Sequence, residues 1–301
     1  MKKDLLTIFD LSADEIEKIL KRSIDLKAGI DAGKRPLAGK SIGLFFEKPS
    51  TRTRVSFEVG VYQLGAQPVY MTSKDLQLGR GETIADTAKT LSRYLHGMAM
   101  RVFKQATVEE FSRNATIPVI NGLSDMHHPC QALADLMTVL ERKGRLEGVR
   151  FAFIGDGNNV ANSLIEAAAL TGLDFVIASP EGYGPNASIV ERARKHGKGR
   201  ISATTDLKEA VAGADVLYTD VWVSMGQEAE AEEKIARFGA YQINKELLKL
   251  ARPDAIVLHC LPAVRGNEIT GEVMDGAQSA IFDQAENRLH TEKAVLEFLV
   301  R

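Results

Sequence analysis

Cysteine is scarce in this chain of 301 residues, which carries only Cys130 and Cys260. Two thiols make no disulfide framework, so we expect a reducing compartment, the cytoplasm. No apolar run approaches the roughly 20 residues that a membrane span requires, and the N-terminus lacks the apolar core of a secretion signal. The formal net charge is −2, which gives no general attraction to nucleic acid or to an anionic membrane.

Internal repeats, low-complexity tracts and Pro/Gly-rich linkers are also missing. Short apolar runs alternate instead with segments of helical spacing, and this alternation predicts parallel sheets covered on both faces. The expected strands lie near residues 42–46, 69–72, 98–102, 117–120, 150–154, 175–178, 201–203, 215–219 and 255–259, with a final strand near 280–282.

A second series of strands and helices begins near residues 144–148. We therefore predict an α/β protein of two doubly wound parallel-sheet domains, one of residues 1–133 and one of residues 134–285. A C-terminal helix, 286–301, is expected to pack back on the first domain. Ligands of open α/β sheets bind at the carboxyl ends of strands, so the site is expected in a cleft between the domains.

The most informative stretch is Ser50-Thr51-Arg52-Thr53-Arg54, between a predicted strand and a predicted helix. A helix N-terminus offers unpaired N–H groups and partial positive charge. Three hydroxyls and two guanidinium groups add donors, which indicates a site for a multiply charged oxyanion such as phosphate. The plainer interpretation is a hydroxyl cap with two solvated arginines, but it explains neither arginine.

Other polar groups also follow predicted strands. Arg101 ends an apolar strand, where a buried guanidinium needs an anionic or carbonyl partner. Gly155-x-Gly157 suggests a dinucleotide site, but Val160 stands where that fingerprint needs glycine and Ser179 where it needs an acid. The asparagines Asn158 and Asn159 are candidates for helix caps or for contacts with a polar substrate.

Metal binding is disfavoured, because His127, His128 and Cys130 lack the second ligand pair of a structural zinc site. Cys260 taken alone is more typical of a small buried apolar residue than of a reactive one. No cofactor is expected.

Two motifs resemble the transcarbamoylase superfamily: residues 45–58, FFEKPSTRTRVSFE, and His128-Pro129-Cys130-Gln131. The segments DVWVSMGQE, residues 220–228, and HCLP, residues 259–262, resemble its ornithine branch and not its aspartate branch. The resemblance covers essentially the whole chain. It implies transfer of the carbamoyl group of carbamoyl phosphate to the side-chain amine of L-ornithine, giving citrulline and phosphate, in arginine synthesis or breakdown.

The resemblance also implies residue roles. Arg101, His128 and Cys260 would be catalytic. The carbamoyl phosphate site would comprise Ser50, Thr51, Arg52, Thr53, Gln77, Arg101, His128, Gln131, Cys260, Leu261 and Arg288. Ornithine would be held by Asn159, Asp220, Ser224 and Met225. Gln77 matches a loop position that reaches a neighbouring subunit's site in the family, which implies a homotrimer or a multiple of trimers.

Three alternatives stay open at this point. A Rossmann-type oxidoreductase would bind nicotinamide cofactor. A phosphometabolite sensor would bind carbamoyl phosphate without turning it over. Within the family, the acceptor could be aspartate or a modified ornithine.

Overall fold

The structure, a computed structural model, describes residues 2–74, 81–223 and 228–300. The chain divides into two compact units, one of residues 1–137 and 286–301 and one of residues 138–285. The sequence predicted a domain boundary between residues 133 and 134, and it predicted that the chain rejoins the first domain at residue 286. Each unit is an α/β structure with a wholly parallel sheet, and both match the predicted fold class.

The first unit has a four-stranded sheet in the order β2-β1-β3-β4. Its strands are β1 (Ser41–Phe46), β2 (Gln67–Thr72), β3 (Gly97–Arg101) and β4 (Val119–Leu123). The helices that begin in this part of the chain are α1 (Ala13–Lys27), α2 (Thr51–Gln63), α3 (Ile84–Leu91), α4 (Gln105–Asn114) and α5 (Pro129–Lys143). Five of the six β1 residues are buried, as expected for a strand covered on both faces.

The second unit has a five-stranded sheet in the order β7-β6-β5-β8-β9. Its strands are β5 (Arg150–Ile154), β6 (Asp174–Ala178), β7 (Arg200–Thr204), β8 (Val216–Thr219) and β9 (Ile256–His259). The later helices are α6 (Asn159–Thr171), α7 (Ala187–His196), α8 (Leu207–Val211), α9 (Ala231–Phe238), α10 (Lys245–Leu248), α11 (Gly271–Met274) and α12 (Ile281–Leu299). Among the described residues, no helix is both long and apolar enough to cross a bilayer.

Strand order reverses once in each sheet, and that reversal locates the binding edge. In the first unit it lies between β1 and β3, where Phe46 pairs with Arg101. In the second it lies between β5 and β8, where Ile154 pairs with Thr219. Ligands of doubly wound sheets bind outside the carboxyl ends of strands at such a switch point. The segments that follow β1, β3, β5 and β8 are therefore placed for binding.

The predicted strand near residues 280–282 is wrong. Val257 of β9 bonds to Gln278 and Ala280 through an isolated bridge at Ser279, and α12 begins at Ile281. One bridge beside β9 satisfies these backbone groups, so the apolar run continues as a helix and not as a sixth strand. The other strands are where the sequence predicted them. The largest displacement is at β4, which spans 119–123 instead of 117–120.

Candidate active site

The anion-binding candidate is the N-terminus of α2. Ser50 is its N-cap, and the Ser50 Oγ accepts a hydrogen bond from the Thr53 N–H over 3.3 Å. The cap thus uses one hydroxyl of the three. Thr53 is buried, Arg52 is half-buried and Thr51 is exposed at the open end of the helix. Because the first N–H groups of a helix have no intrahelical acceptor, this end can receive an anion.

Arg54, the second arginine of the cluster, is engaged elsewhere. Its Nε lies 3.1 Å from Glu58 Oε1, one turn further along α2. Its guanidinium carbon lies 3.7 Å from the centre of the Tyr70 ring. A stacked and paired guanidinium of this kind is held on the helix surface. Arg52, which is half-buried, is therefore the stronger candidate of the two arginines for an anion site.

Arg288 of α12 connects two other predicted site residues, Thr53 and Gln131. Its Nη1 donates to Gln131 Oε1 over 2.8 Å, and its Nη2 donates to Thr53 Oγ1 over 3.3 Å. Its Nε and Nη2 also donate to Glu292 Oε1, over 3.1 and 2.6 Å. All four side chains are almost completely buried. Thr53, Gln131 and Arg288 were predicted to share a site, and the structure brings them together within the first unit.

Arg101 is buried at the carboxyl end of β3, next to the end of β1. The pairing of β3 with β4 shifts register between Met100 and Arg101. Irregularities of this kind redirect side chains and are common beside active sites. Glu47 fastens the segment, because its N–H donates to the Arg101 carbonyl over 2.9 Å and its Oε2 accepts from the Phe103 N–H over 2.6 Å. Arg101 is thereby held at the switch point.

Two basic side chains of the first unit, His128 and Lys48, have lowered pKa values. Burial lowers the pKa of His128 well below its ordinary value, and Arg288, Arg101, Lys48 and Arg52 lower it further. Burial also lowers the pKa of Lys48, with Arg101 adding to the effect. His128 is consequently neutral near pH 7. The smaller part of these shifts, which the neighbouring guanidinium and ammonium groups cause, reflects a positive potential that favours an anion.

Asp220 is the centre of the predicted acceptor site in the second unit. It directly follows β8 and is buried. Its Oδ2 accepts from Asn158 Nδ2 over 2.7 Å, and its Oδ1 accepts from the Val221 N–H over 2.8 Å. The Cys260 thiol also donates to Oδ1, over 3.0 Å. Asp220 and Cys260 were both predicted site residues, and they are in direct contact.

The turn that carries Cys260 and Leu261 is held by a buried pair. His259 Nε2 lies 3.1 Å from Glu268 Oε1, and His259 Nδ1 accepts from the Leu261 N–H over 2.8 Å. Since Nδ1 accepts, the ring proton is on Nε2 and points at Glu268. The Leu261–Pro262 peptide bond is cis, and Leu261 has a φ of 59°. The turn directly follows the carboxyl end of β9.

Gly157 accounts for the glycine pattern that suggested a dinucleotide site. A Cβ at position 157 would lie 2.3 Å from the Gly184 carbonyl oxygen. Its N–H donates to the Tyr183 carbonyl over 2.9 Å. The glycine is therefore required by the close approach of two backbone segments.

Next to this glycine in the chain, Asp156 forms an ion pair, with its Oδ2 at 2.6 Å from Lys234 Nζ. Burial raises the pKa of Asp156, against the effect of Lys234.

Asp220, His259 and Cys260 offer ligand atoms within 4.8 Å of one another, the arrangement of a possible metal site. However, both ring nitrogens of His259 are already used, one by the Leu261 N–H and one by Glu268. A metal ligand needs a free imidazole lone pair. These residues therefore fit a hydrogen-bonded turn better than a metal centre.

The remaining predicted residues divide into two sets. Asn159 is the first residue of α6, whose N-cap is Asn158. Gln77, Ser224 and Met225 lie outside the described residues. The sequence did not identify Glu292 or Glu268 as parts of these clusters, and it gave no role to Glu47 or Lys48, which lie in the motif of residues 45–58. For Glu292 a signal existed, because it is four residues after Arg288 in a predicted helix and such pairs face each other.

The family of the chain follows from comparison with known proteins. Residues 3–141 match the model of the aspartate/ornithine carbamoyltransferase carbamoyl-P binding domain. Residues 147–299 match the Asp/Orn binding domain of the same family. The chain belongs to the aspartate/ornithine carbamoyltransferase family.

Relatives named ornithine carbamoyltransferase indicate the branch. The protein from Methanosarcina mazei is 56% identical over 303 residues, which cover 100% of both chains. The solved structure from Pyrococcus furiosus has a TM-score of 0.95 at 50% identity and covers 99% of this chain and 97% of that one. An anabolic ornithine carbamoyltransferase from Campylobacter jejuni has a TM-score of 0.93 at 41% identity, covering 99% of this chain and 98% of that one.

Proposed function

We propose that this protein transfers the carbamoyl group of carbamoyl phosphate to the side-chain amine of L-ornithine, giving L-citrulline and phosphate. The observation that carries the proposal is the buried cluster of Thr53, Gln131 and Arg288, beside a neutral His128. This cluster holds the Thr53 hydroxyl beside a guanidinium, so that it can donate to an anionic substrate. The family membership and the ornithine carbamoyltransferase names of the relatives support the same reaction.

The phosphate would lie at the N-terminus of α2, against Ser50, Thr51, Arg52 and Thr53, with Arg288 and the loop residue Gln77 completing the site. Attack of the amine on the carbamoyl carbon places negative charge on the carbonyl oxygen. Arg101, His128 and the Thr53 hydroxyl are the donors that we assign to that oxygen, and Gln131 contacts the carbamoyl amide. Donors of this type contribute about 2.7–4 kcal/mol each to transition-state stabilisation. The phosphate leaves with its charge already compensated, so no covalent intermediate is needed.

The amino-acid end of ornithine would be held in the second unit. Asp220 is an acceptor-only group that suits the α-ammonium, and Asn159 with residues Ser224 and Met225 suits the α-carboxylate. Residues 220–230 contain no Lys or Arg, so they offer no cation to the second carboxylate of an aspartate substrate. Cys260 and Leu261 would border the reacting amine. That amine has an ordinary pKa of about 10.4 and must be neutral to attack, which desolvation favours.

The test is a citrulline assay with purified protein, carbamoyl phosphate and ornithine. Citrulline and phosphate should appear in equal amounts. Binding of carbamoyl phosphate without any turnover would instead identify a sensor. Fluorescence transfer to added nicotinamide cofactor would support the oxidoreductase alternative. The anabolic relative from Campylobacter jejuni favours citrulline synthesis as the physiological direction, and comparison of forward and reverse rates tests it.

We also propose a homotrimer in which Gln77 of one subunit reaches the site of its neighbour. Val55, Val59 and Tyr62 support a subunit contact, because they are exposed at spacings that put them on one side of α2. A mixing experiment tests the shared site. Arg52→Ala and Gln77→Ala protein should each be nearly inactive, but hybrids should regain about a quarter of the sites if each site draws on two subunits. No recovery, with hybrids formed, would contradict sharing.

The cytoplasm is the compartment that we propose. Cys130 and Cys260 are both free thiols in the structure, which accords with a reducing environment. Fractionation of the native host with an antibody against the protein tests this assignment.

A further inference from the structure

Glu292 is a fully buried carboxylate with no assigned role, one turn after Arg288 on α12. Its Oε1 accepts from both Nε and Nη2 of Arg288, over 3.1 and 2.6 Å. Burial raises the pKa of Glu292, and the adjacent Arg288 guanidinium opposes that rise. A buried ion pair of this kind is weak evidence for a stability function, since desolvation offsets much of its attraction. Its position beside the anion site suggests another function.

The hydrogen bonds around Arg288 have a fixed direction. A guanidinium can only donate, so Thr53 Oγ1 and Gln131 Oε1 must accept from it. Gln131 Nε2 then donates to the buried Asp135 over 2.8 Å. The amide of Gln131 is therefore fixed in one orientation, with a donor at one end and an acceptor at the other. The Thr53 hydroxyl proton is not used by Arg288 and remains to be donated to a substrate oxygen.

We propose that Glu292 is a positioning residue of the carbamoyl phosphate site. Its carboxylate holds the Arg288 guanidinium so that Nη1 stays on Gln131 and Nη2 stays on Thr53, and this sets the direction in which the Thr53 hydroxyl donates. Glu292 does not touch the substrate in this scheme. It acts through Arg288, and the inference rests on the proposed carbamoyl transfer.

A second glutamate of α12, Glu297, supplies the control through its pair with Arg22 of α1. Glu297 accepts from Nε and Nη2 of Arg22 over 2.6 and 3.0 Å, so it also binds a guanidinium through two nitrogens. The other carboxylate that Arg22 binds is Asp31, at 3.1 Å from its Nη1, and neither Asp31 nor Glu297 is a proposed site residue. Glu297→Gln should therefore lower the melting temperature without changing turnover.

The experiment compares wild type, Glu292→Gln and Glu297→Gln for kcat, KM and melting temperature. We expect Glu292→Gln to lower kcat about tenfold, because one well-placed hydrogen bond contributes about that factor. The ornithine KM should change less than about threefold. Glu297→Gln should keep kcat within about twofold of wild type. Equal kcat values for wild type and Glu292→Gln, or equal losses in both variants, would overturn the inference. An inactive wild type would refute the proposed function instead.

Thr53→Val tests the route through the hydroxyl. If Glu292 acts through Thr53, the double variant Thr53→Val/Glu292→Gln should be no more than about threefold slower than the slower single variant. Multiplicative losses would show that the two residues act independently and would overturn the route. If Glu292→Gln does not fold, Glu292→Asp decides, because it keeps the charge but withdraws the carboxylate by one methylene. A kcat at least about threefold below wild type supports the inference, and a wild-type kcat overturns it.

Discussion

Asn158 Nδ2 donates to Asp220 Oδ2 over 2.7 Å and links the end of β5 to the end of β8. The other end of the same side chain caps α6, since Asn158 Oδ1 accepts from the N–H groups of Val160 and Ala161 over 3.0 and 3.1 Å. The amide cannot rotate without losing either the cap or the contact with Asp220. One oxygen of the Asp220 carboxylate is consequently held by the residue that caps α6, and the other accepts from the Val221 N–H and the Cys260 thiol.

Asp220→Asn should reduce affinity for ornithine about tenfold to a hundredfold, because a hydrogen bond to a charged group contributes roughly 1.5–3 kcal/mol. Affinity for carbamoyl phosphate should hardly change. Asp215→Asn is the control: Asp215 is a buried carboxylate just before the same strand, bonded to the Arg150 N–H and to Arg252. It should lower stability only. Calorimetric titration with each substrate measures the two affinities, and thermal unfolding measures stability. Unchanged ornithine binding in Asp220→Asn would refute the assignment of this residue.

Asn158→Ala should combine a loss of stability with a loss of ornithine affinity. Removal of an Asn cap costs about 1 kcal/mol, and Asp220 Oδ2 loses the donor that holds it. Asn186→Ala is the matched variant, since Asn186 caps α7 through the N–H groups of Ser188 and Ile189. Thermal unfolding should show similar losses for both variants, whereas the ornithine KM should rise only for Asn158→Ala. A similar ornithine KM in the two variants would mean that Asn158 is only a cap.

Arg52→Ala should lower kcat at least about a hundredfold with the fold retained, because the phosphate gains charge as it leaves and a charge-assisted donor is lost. Arg54→Ala should have a much smaller effect, since Arg54 pairs with Glu58 and stacks on Tyr70. Steady-state kinetics and circular dichroism of both variants provide the comparison. Near-normal turnover of Arg52→Ala would show that residues 50–54 only cap α2 and do not bind phosphate.

Much of the architecture was predictable from the sequence, because strand and helix periodicities differ and polar clusters followed the strands. Thr53, Gln131 and Arg288 were assigned to one site from the resemblance of the chain to the transcarbamoylase superfamily, and the bonds of Arg288 to the other two agree with that grouping. The failure near residues 280–282 has a physical cause. A short apolar run has no periodicity that separates a strand from the start of a helix.

The residues that hold the predicted site residues in place were harder to predict. Which hydroxyl of residues 50–53 caps α2, and which arginine of Arg52 and Arg54 turns to the surface, depends on tertiary neighbours such as Tyr70. Glu268 supports the Cys260 turn from eight residues further along the chain. Contacts of this kind follow from the fold and leave no local sequence pattern.

Stability should fall as the pH drops below about 6.5, partly because of His128. Its pKa is lowered in the folded protein, so the unfolded chain takes up the proton first. The stability that a neutral His128 allows is complete above the unfolded pKa of about 6.5 and is lost at up to ~1.4 kcal/mol per pH unit below it. His290, whose pKa burial also lowers, adds a contribution of the same sign. Urea unfolding from pH 5 to 7.5 should give a shallower pH dependence for His128→Gln, and an unchanged slope would contradict a neutral His128.

The choice of acceptor tests the account most directly. Purified protein with saturating carbamoyl phosphate should be assayed against ornithine, aspartate and a panel of related amines, with carbamoylated product and phosphate both measured. We predict that ornithine is preferred over aspartate by orders of magnitude. The apparent affinity for ornithine should improve as pH rises from neutrality, because a larger fraction of the attacking amine is then neutral. Faster carbamoylation of aspartate, or phosphate release without citrulline, would contradict the account.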